Sequence, residues 1–251
     1  GKLKRGIIYK YFKRYERSMY KKANAITAVS KPMAEYIEEM VPNKNIYVIY
    51  NGIPREDYEV AIRKHENEKG LNEHLNIVYA GNIGLLQGME VVPEAIALID
   101  DLDIHFEIIG DGVLKSQLEE ALEKKATFRD PMPRDNLVKY LREKADVLFF
   151  NLKKDPILEK TIPSKLFDYL LLSKPIITGI KGEGREILKR TGAAVFFEQD
   201  SAISLVDAIK EMERNYDIYY SNARKNCLNI AKNFIREDMY QKILEIIESE
   251  S

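Results

Sequence analysis

Residues 75–99 read LNIVYAGNIGLLQGMEVVPEAIALI: a short apolar run, a loop with three glycines, then an apolar pattern at helical spacing. The run 75–80 is too short for a buried helix and stops at a glycine, which marks a buried strand. Residues 81–88 form the loop, and 89–99 continue as a helix. Pro93 lies near its start, where a missing N–H costs least. Strand, glycine loop and helix make the repeating unit of a parallel sheet.

The unit recurs downstream. Strands are expected at 104–109, 126–128, 147–150, 175–178 and 193–197, with helices at 113–125, 134–144, 164–172 and 184–190 between them. Three helices without strands follow, at 201–212, 216–232 and 235–248. The expected fold is α/β, a doubly wound, Rossmann-like parallel sheet with a helical C-terminus. Upstream, 25–30 and 46–50 read as two further strands around a helix at 33–40. The charged stretch 55–74 lacks apolar periodicity and reads as a linker. Four segments are therefore expected: 1–52, the end of an N-terminal domain; 53–74, a linker; 75–232, the main sheet domain; and 233–251, a C-terminal helix packing back on the first domain.

Composition excludes several classes. Lys plus Arg (39) balances Asp plus Glu (40), so charge calls for no nucleic-acid partner. Cys227 is the single cysteine, which rules out an intrachain disulfide and a cysteine-based zinc site and fits a cytoplasmic setting. No apolar run approaches the ~18 residues of a membrane span. The charge is unevenly placed, however: residues 1–25 hold nine basic side chains against Glu16 alone. Within 6–20, Ile7, Ile8, Tyr11, Phe12, Tyr15 and Met19 interleave with Lys and Arg near helical spacing. Such a helix suits an anionic membrane surface or the face of a preceding domain.

Ligands of open parallel sheets bind at the carboxyl ends of the strands. Three loops there have suitable chemistry. The glycines of 81–88 let backbone N–H groups approach an anion at a helix start, although the spacing is neither G-x-G-x-x-G nor a P-loop. A tight turn without ligand explains them equally well. Gly110-Asp111-Gly112 follows the second strand and reads as a turn in which Asp111 caps a helix at Val113. The third loop, 161–169 (TIPSKLFDY), puts Lys165 in the first turn of a helix, against the dipole, with Asp168 one turn later. A bound anion would reverse that penalty; a solvent-facing lysine is the alternative. His65, His74 and His105 have no metal or catalytic spacing. Asp101-Leu102-Asp103 precedes a strand, at the opposite end of the sheet from these loops, and reads as a solvated turn.

Taken in order, KKANAITAVSKPMAEYI (21–37), VIYNGIP (48–54), VYAGNIGLLQGMEVVPEAI (78–96), FEIIGDGVLKSQLEE (106–120), LVKYLREKADVLFF (137–150) and IPSKLFDYLLLSKPII (162–177) resemble the retaining GT-B glycosyltransferases called group 1 or family 4. The spelling is most similar to a bacterial subset acting in capsule, O-antigen or colanic-acid synthesis. The resemblance implies an enzyme that transfers a hexose-type sugar from a nucleotide donor, in this subset UDP, to a saccharide or undecaprenyl-linked acceptor. It implies no cofactor and no metal, and a place on the inner face of the cell membrane. Gly81, Asn82 and Gly84 would face the diphosphate or the cleft. Gly110, Asp111 and the loop from Phe128 to Arg134, with Arg129 in it, would border the uracil. Thr161, Ile162 and Ser164 would approach sugar and phosphate, Lys165 would pair with the diphosphate as the catalytic group, and Asp168 would hold the ribose. The resemblance also implies that most of the acceptor half is missing, leaving a donor-binding half that cannot transfer sugar alone.

Departures from the family spelling are Asn82 and Gln87, where Arg and Lys are usual, and Lys160 at the first glutamate of the E-x7-E motif. Two other classes fit the same fold: a UDP-sugar 2-epimerase, for which no further acid/base residues are evident, and a non-catalytic nucleotide-binding partner subunit.

Overall fold

The computed structural model describes residues 6–64, 74–99 and 102–249. Six parallel strands form the main sheet: β3 (Leu75–Ala80), β4 (Ile104–Ile109), β5 (Ala126–Arg129), β6 (Val147–Phe150), β7 (Ile176–Thr178) and β8 (Ala194–Phe196). Their spatial order is β5-β4-β3-β6-β7-β8, so the winding reverses between β3 and β6. Side chains alternate cleanly. Val78, Ala80, Leu148 and Phe150 enter one core with α6 (Arg134–Lys144), α7 (Ser164–Leu172) and α10 (Tyr216–Ala231). Ile77, Tyr79, Val147 and Phe149 enter the other with α4 (Val91–Ala97), α5 (Lys115–Leu122) and α9 (Ala202–Arg214). Burial on both faces is why the central strands β3 and β6 read as largely apolar runs.

The expected elements are present with shifted ends. α4 and α5 each start two residues later than their apolar pattern suggests, while α8 (Gly182–Lys189) starts two earlier, on a glycine with φ of 65°. The largest difference is the charged stretch. Residues 55–64 form α3 (Arg55–Lys64), with Glu56 and Asp57 in its first turn and Arg63 and Lys64 in its last. Those charges complement the helix dipole, and only Ala61 is buried, so the segment carries almost no apolar signal. The rest of that stretch, including His65, lies outside the described residues.

Ahead of α3, β1 (Ala25–Ala28) and β2 (Asn45–Val48) pair in parallel around α2 (Lys31–Met40). α1 (Ile7–Lys22) precedes them and buries none of its residues. Two chain segments meet where this unit joins the main sheet: Ile53 and Ile235 form a parallel bridge, just before α11 (Arg236–Ser249). Among the described residues no helix is long and apolar enough to cross a membrane.

Candidate functional site

The loops after β3 and β4 are zipped together by backbone. Gly81 N–H donates to Ile109 O and Ile83 N–H to Asp111 O, both at 2.8 Å; Leu114 N–H returns to Ile83 O at 3.1 Å. A Cβ on Gly110 would lie 2.0 Å from Gly81 O, and one on Gly112 2.3 Å from Ile83 O. Both glycines also hold φ near +150°, a region other residues rarely adopt. Their side-chain-free backbone is thus accounted for by the neighbouring loop. Asp111 caps its own turn: Oδ1 accepts from Gly112 N–H at 2.8 Å, and α5 starts at Lys115 without a side-chain cap. The expected cap at Val113 is therefore wrong, because the carboxylate is consumed one residue on. Asn82 keeps its carboxamide over Gly84, and its carbonyl accepts from the buried Tyr79 hydroxyl.

The α7 end differs. Its first turn has no side-chain cap; Leu166 N–H turns back to Pro163 O at 3.0 Å, and among the described residues no bond closes on the N–H groups of Ser164 and Lys165. Ser164 is exposed at the first position, Ile162 is buried beneath it, and the Thr161 hydroxyl donates back to Leu158 O at 2.8 Å. Lys165 crosses from this turn to Gly81. Its Nζ lies 2.6 Å from where a Gly81 Cβ would stand, and 4.9 Å from the Tyr79 ring centroid. Gly81, with φ of 136°, therefore makes room for the lysine. Burial lowers the Lys165 ammonium to about 8, against a weaker upward pull from Asp168. Among the described residues no hydrogen bond or ion pair closes on Nζ, so a cation stands at the switch point with only an aromatic face beside it.

Asp168 is engaged. Arg134, the first residue of α6, donates to Asp168 Oδ1 at 2.9 Å and to Asp57 Oδ2 of α3 at 2.7 Å. Lys165, Asp168, Arg134, Asp57, Ala80 and Tyr169 line a cavity of about 940 Å³. Arg129 turns away from it. Its guanidinium pairs with the buried Glu107 and lies over Tyr140, whose hydroxyl also donates to Glu107 at 2.8 Å. What Arg129 offers the loop is its carbonyl, which accepts Gly110 N–H at 3.0 Å.

Lys165, Gly81 and Asp168 are thus brought to one crevice, with Gly110 packed against Gly81 behind it, whereas Gly84 is buried against the Asn82 side chain. Tyr79 and Asp57 escaped the sequence reading, since nothing in a strand tyrosine or a linker aspartate announces a cleft. Arg134 offered one signal, its place at the start of a helix after a proline-rich loop. At the opposite end of the sheet Asp103 is exposed, as a solvated turn requires, and faces the exposed His74 at 2.5 Å; Asp101 lies outside the described residues. Among the described residues no group of three potential metal ligands exists.

A parallel sheet of this order, with open loops at its switch point and a second parallel pair joined ahead of it, is a GT-B architecture, the two-unit fold of nucleotide-sugar enzymes. The chain belongs to the glycosyl transferases group 1 family, whose model matches residues 61–234; the model for glycosyltransferase family 4 matches residues 2–57. It is 24% identical over 231 residues to the probable glycosyltransferase WbjE of Pseudomonas aeruginosa, covering 84% of this chain and 55% of that protein. The chain thus spans about half the length of that curated relative. Anabaena HepE, solved with UDP-glucose, shares the fold with a TM-score of 0.75 at 14% identity, over 94% of this chain and 67% of its own. Sucrose-phosphate synthase of Thermosynechococcus elongatus has the same TM-score at 14% identity, over 96% and 61%.

Proposed function

We propose that the chain is the donor-binding half of a glycosyltransferase that moves a hexose-type sugar from a UDP donor to a saccharide or undecaprenyl-linked acceptor. One observation carries the reading: the Lys165 ammonium stands unpaired beside the open N-terminus of α7, where a diphosphate would neutralise it. The chemistry follows. When the glycosidic bond to phosphate breaks, charge develops on the leaving diphosphate. Lys165 and the α7 N–H groups, fixed before reaction, stabilise that charge without a metal. Thr161, Ile162 and Ser164 supply backbone towards the sugar, and Asp168, released from Arg134, accepts the ribose hydroxyls. The UDP and UDP-glucose complexes of HepE support UDP as the nucleotide.

By itself this half holds the nucleotide and leaves the sugar uncovered, so transfer requires the remainder of a GT-B cleft to position the acceptor, a contribution of ~7–11 kcal/mol. The test is calorimetric: UDP binds this chain, and ADP and GDP bind at least tenfold more weakly. Equal affinity for all three would refute a uridine site.

α1 adds a location. Ile7, Ile8, Tyr11, Phe12, Tyr15 and Met19 are all more than half exposed, among six basic residues between Lys10 and Lys22. This face suits an anionic bilayer surface, each basic side chain adding ~1 kcal/mol. Co-sedimentation with phosphatidylglycerol vesicles, lost on Lys/Arg→Gln exchange in 10–22, is expected; equal sedimentation of both proteins at low salt would remove the membrane role.

A further inference from the structure

The short turn just ahead of α7, Leu158–Lys160, is held from two sides. On one side α8 presents Gly182, whose Cβ, had it one, would lie 2.0 Å from Glu159 O. On the other, α2 presents Ser30, which is completely buried. The Ser30 hydroxyl accepts from Met33 N–H at 3.1 Å, capping α2, and donates its own proton to Lys160 O. Glu183 of α8 closes the arrangement: Oε2 accepts from Lys31 N–H at 2.7 Å and Oε1 from the Tyr50 hydroxyl at 2.7 Å. A carbonyl and a carboxylate therefore meet the N-terminus of α2, where the dipole favours them. Lys160 itself points out of the cleft, its Nζ 5.7 Å from the Tyr36 ring of α2.

We propose that Ser30 and Glu183 are positioning residues, a strut by which the β1–α2–β2 unit fixes the turn that launches α7 and so sets the phosphate-binding end of the site. The inference rests on the donor-site reading. Physically, Lys165 lies five residues beyond the clamped carbonyl, with buried Ile162 and rigid Pro163 between. Little slack separates the strut from the α7 N–H groups. Lys160, where the family spelling has the first glutamate of E-x7-E, serves here, through its backbone, to join the two units.

Three variants of the whole chain test this. Ser30→Asp keeps an acceptor for Met33 N–H but cannot donate to Lys160 O. Glu183→Ala cuts the other arm at a half-buried side chain, and remains informative if the aspartate at the fully buried site does not fold. Ser30→Thr keeps both bonds. Two readouts are taken: amide exchange across 157–166 in the free protein, and affinities for UDP and uridine. In Ser30→Asp and Glu183→Ala, exchange across 157–166 is expected to quicken. UDP affinity should fall about fivefold, one hydrogen bond's worth, while uridine affinity holds and Ser30→Thr stays near wild type. Unchanged exchange and UDP affinity in both severed variants would overturn the strut. Wild-type protein that binds no UDP would instead sink the donor-site reading, and the exchange pattern would still decide the strut.

Discussion

The two ends of the crevice are built on opposite logic. Gly81, Gly84, Gly110 and Gly112 have the sequence look of an anion-binding loop, yet Gly110 and Gly112 are explained by backbone from the neighbouring loop lying where a Cβ would be. The TIPSK segment has no glycine, yet it leaves an uncapped helix start and an unpaired, half-buried ammonium. Glycine in a strand-to-helix loop is cheap evidence because tight packing needs it as often as a ligand does. A cation in the first turn of a helix is costly, and the fold offers it an aromatic ring and a weak pull from Asp168 but no bonded partner among the described residues.

Breaking the packed end should cost the most. Gly110→Ala drives a methyl into Gly81 O at a φ of 145°; a loss of about 2–5 kcal/mol of folding stability is expected from strain and overpacking together. Chemical denaturation measures it, and a change within error would mean the two loops separate easily. The open end should respond in binding instead. Lys165→Ala should weaken UDP by ~1.5–3 kcal/mol, the scale of a charge-assisted hydrogen bond, with stability nearly unaltered. Unaltered calorimetric affinity would move the diphosphate elsewhere.

A smaller effect sharpens the same contrast. With the free-protein ammonium near 8, UDP affinity should fall up to about tenfold from pH 7 to pH 9, with proton uptake on binding above pH 8. Folding stability should move the other way. Between pH 8 and the ordinary lysine range the unfolded chain holds more protons, so the folded state gains as pH rises. A flat affinity profile in wild type would remove the lysine from the diphosphate. The smallest expected effect is none: EDTA should leave UDP affinity unchanged, and binding that vanishes with chelator would replace the lysine-and-helix site with a metal-dependent one.

Much of this was legible in the chain. Strands β3 and β6 are rich in Leu, Ile, Val, Phe and Tyr because they are buried on both faces, and period and length then separate them from helices. Lys165 stood out because a local rule, the sign of charge preferred at a helix start, was violated. α3 did not, since a helix lying on a surface with one buried alanine has no apolar period to read. Arg129 was misleading for a related reason: its partner Glu107 sits 22 residues away on the adjacent strand, and only strand pairing brings the two together.

By itself the sequence determined the class of fold, the order of its elements and the helix start where a lysine opposes the dipole, because periodicity, glycine position and helix polarity are local properties. The tertiary structure alone decided which glycines serve packing, which carboxylates are already taken, and that Ser30 reaches across 130 residues to Lys160. Those outcomes depend on which atoms from distant segments compete for the same few ångströms. No local pattern encodes that competition.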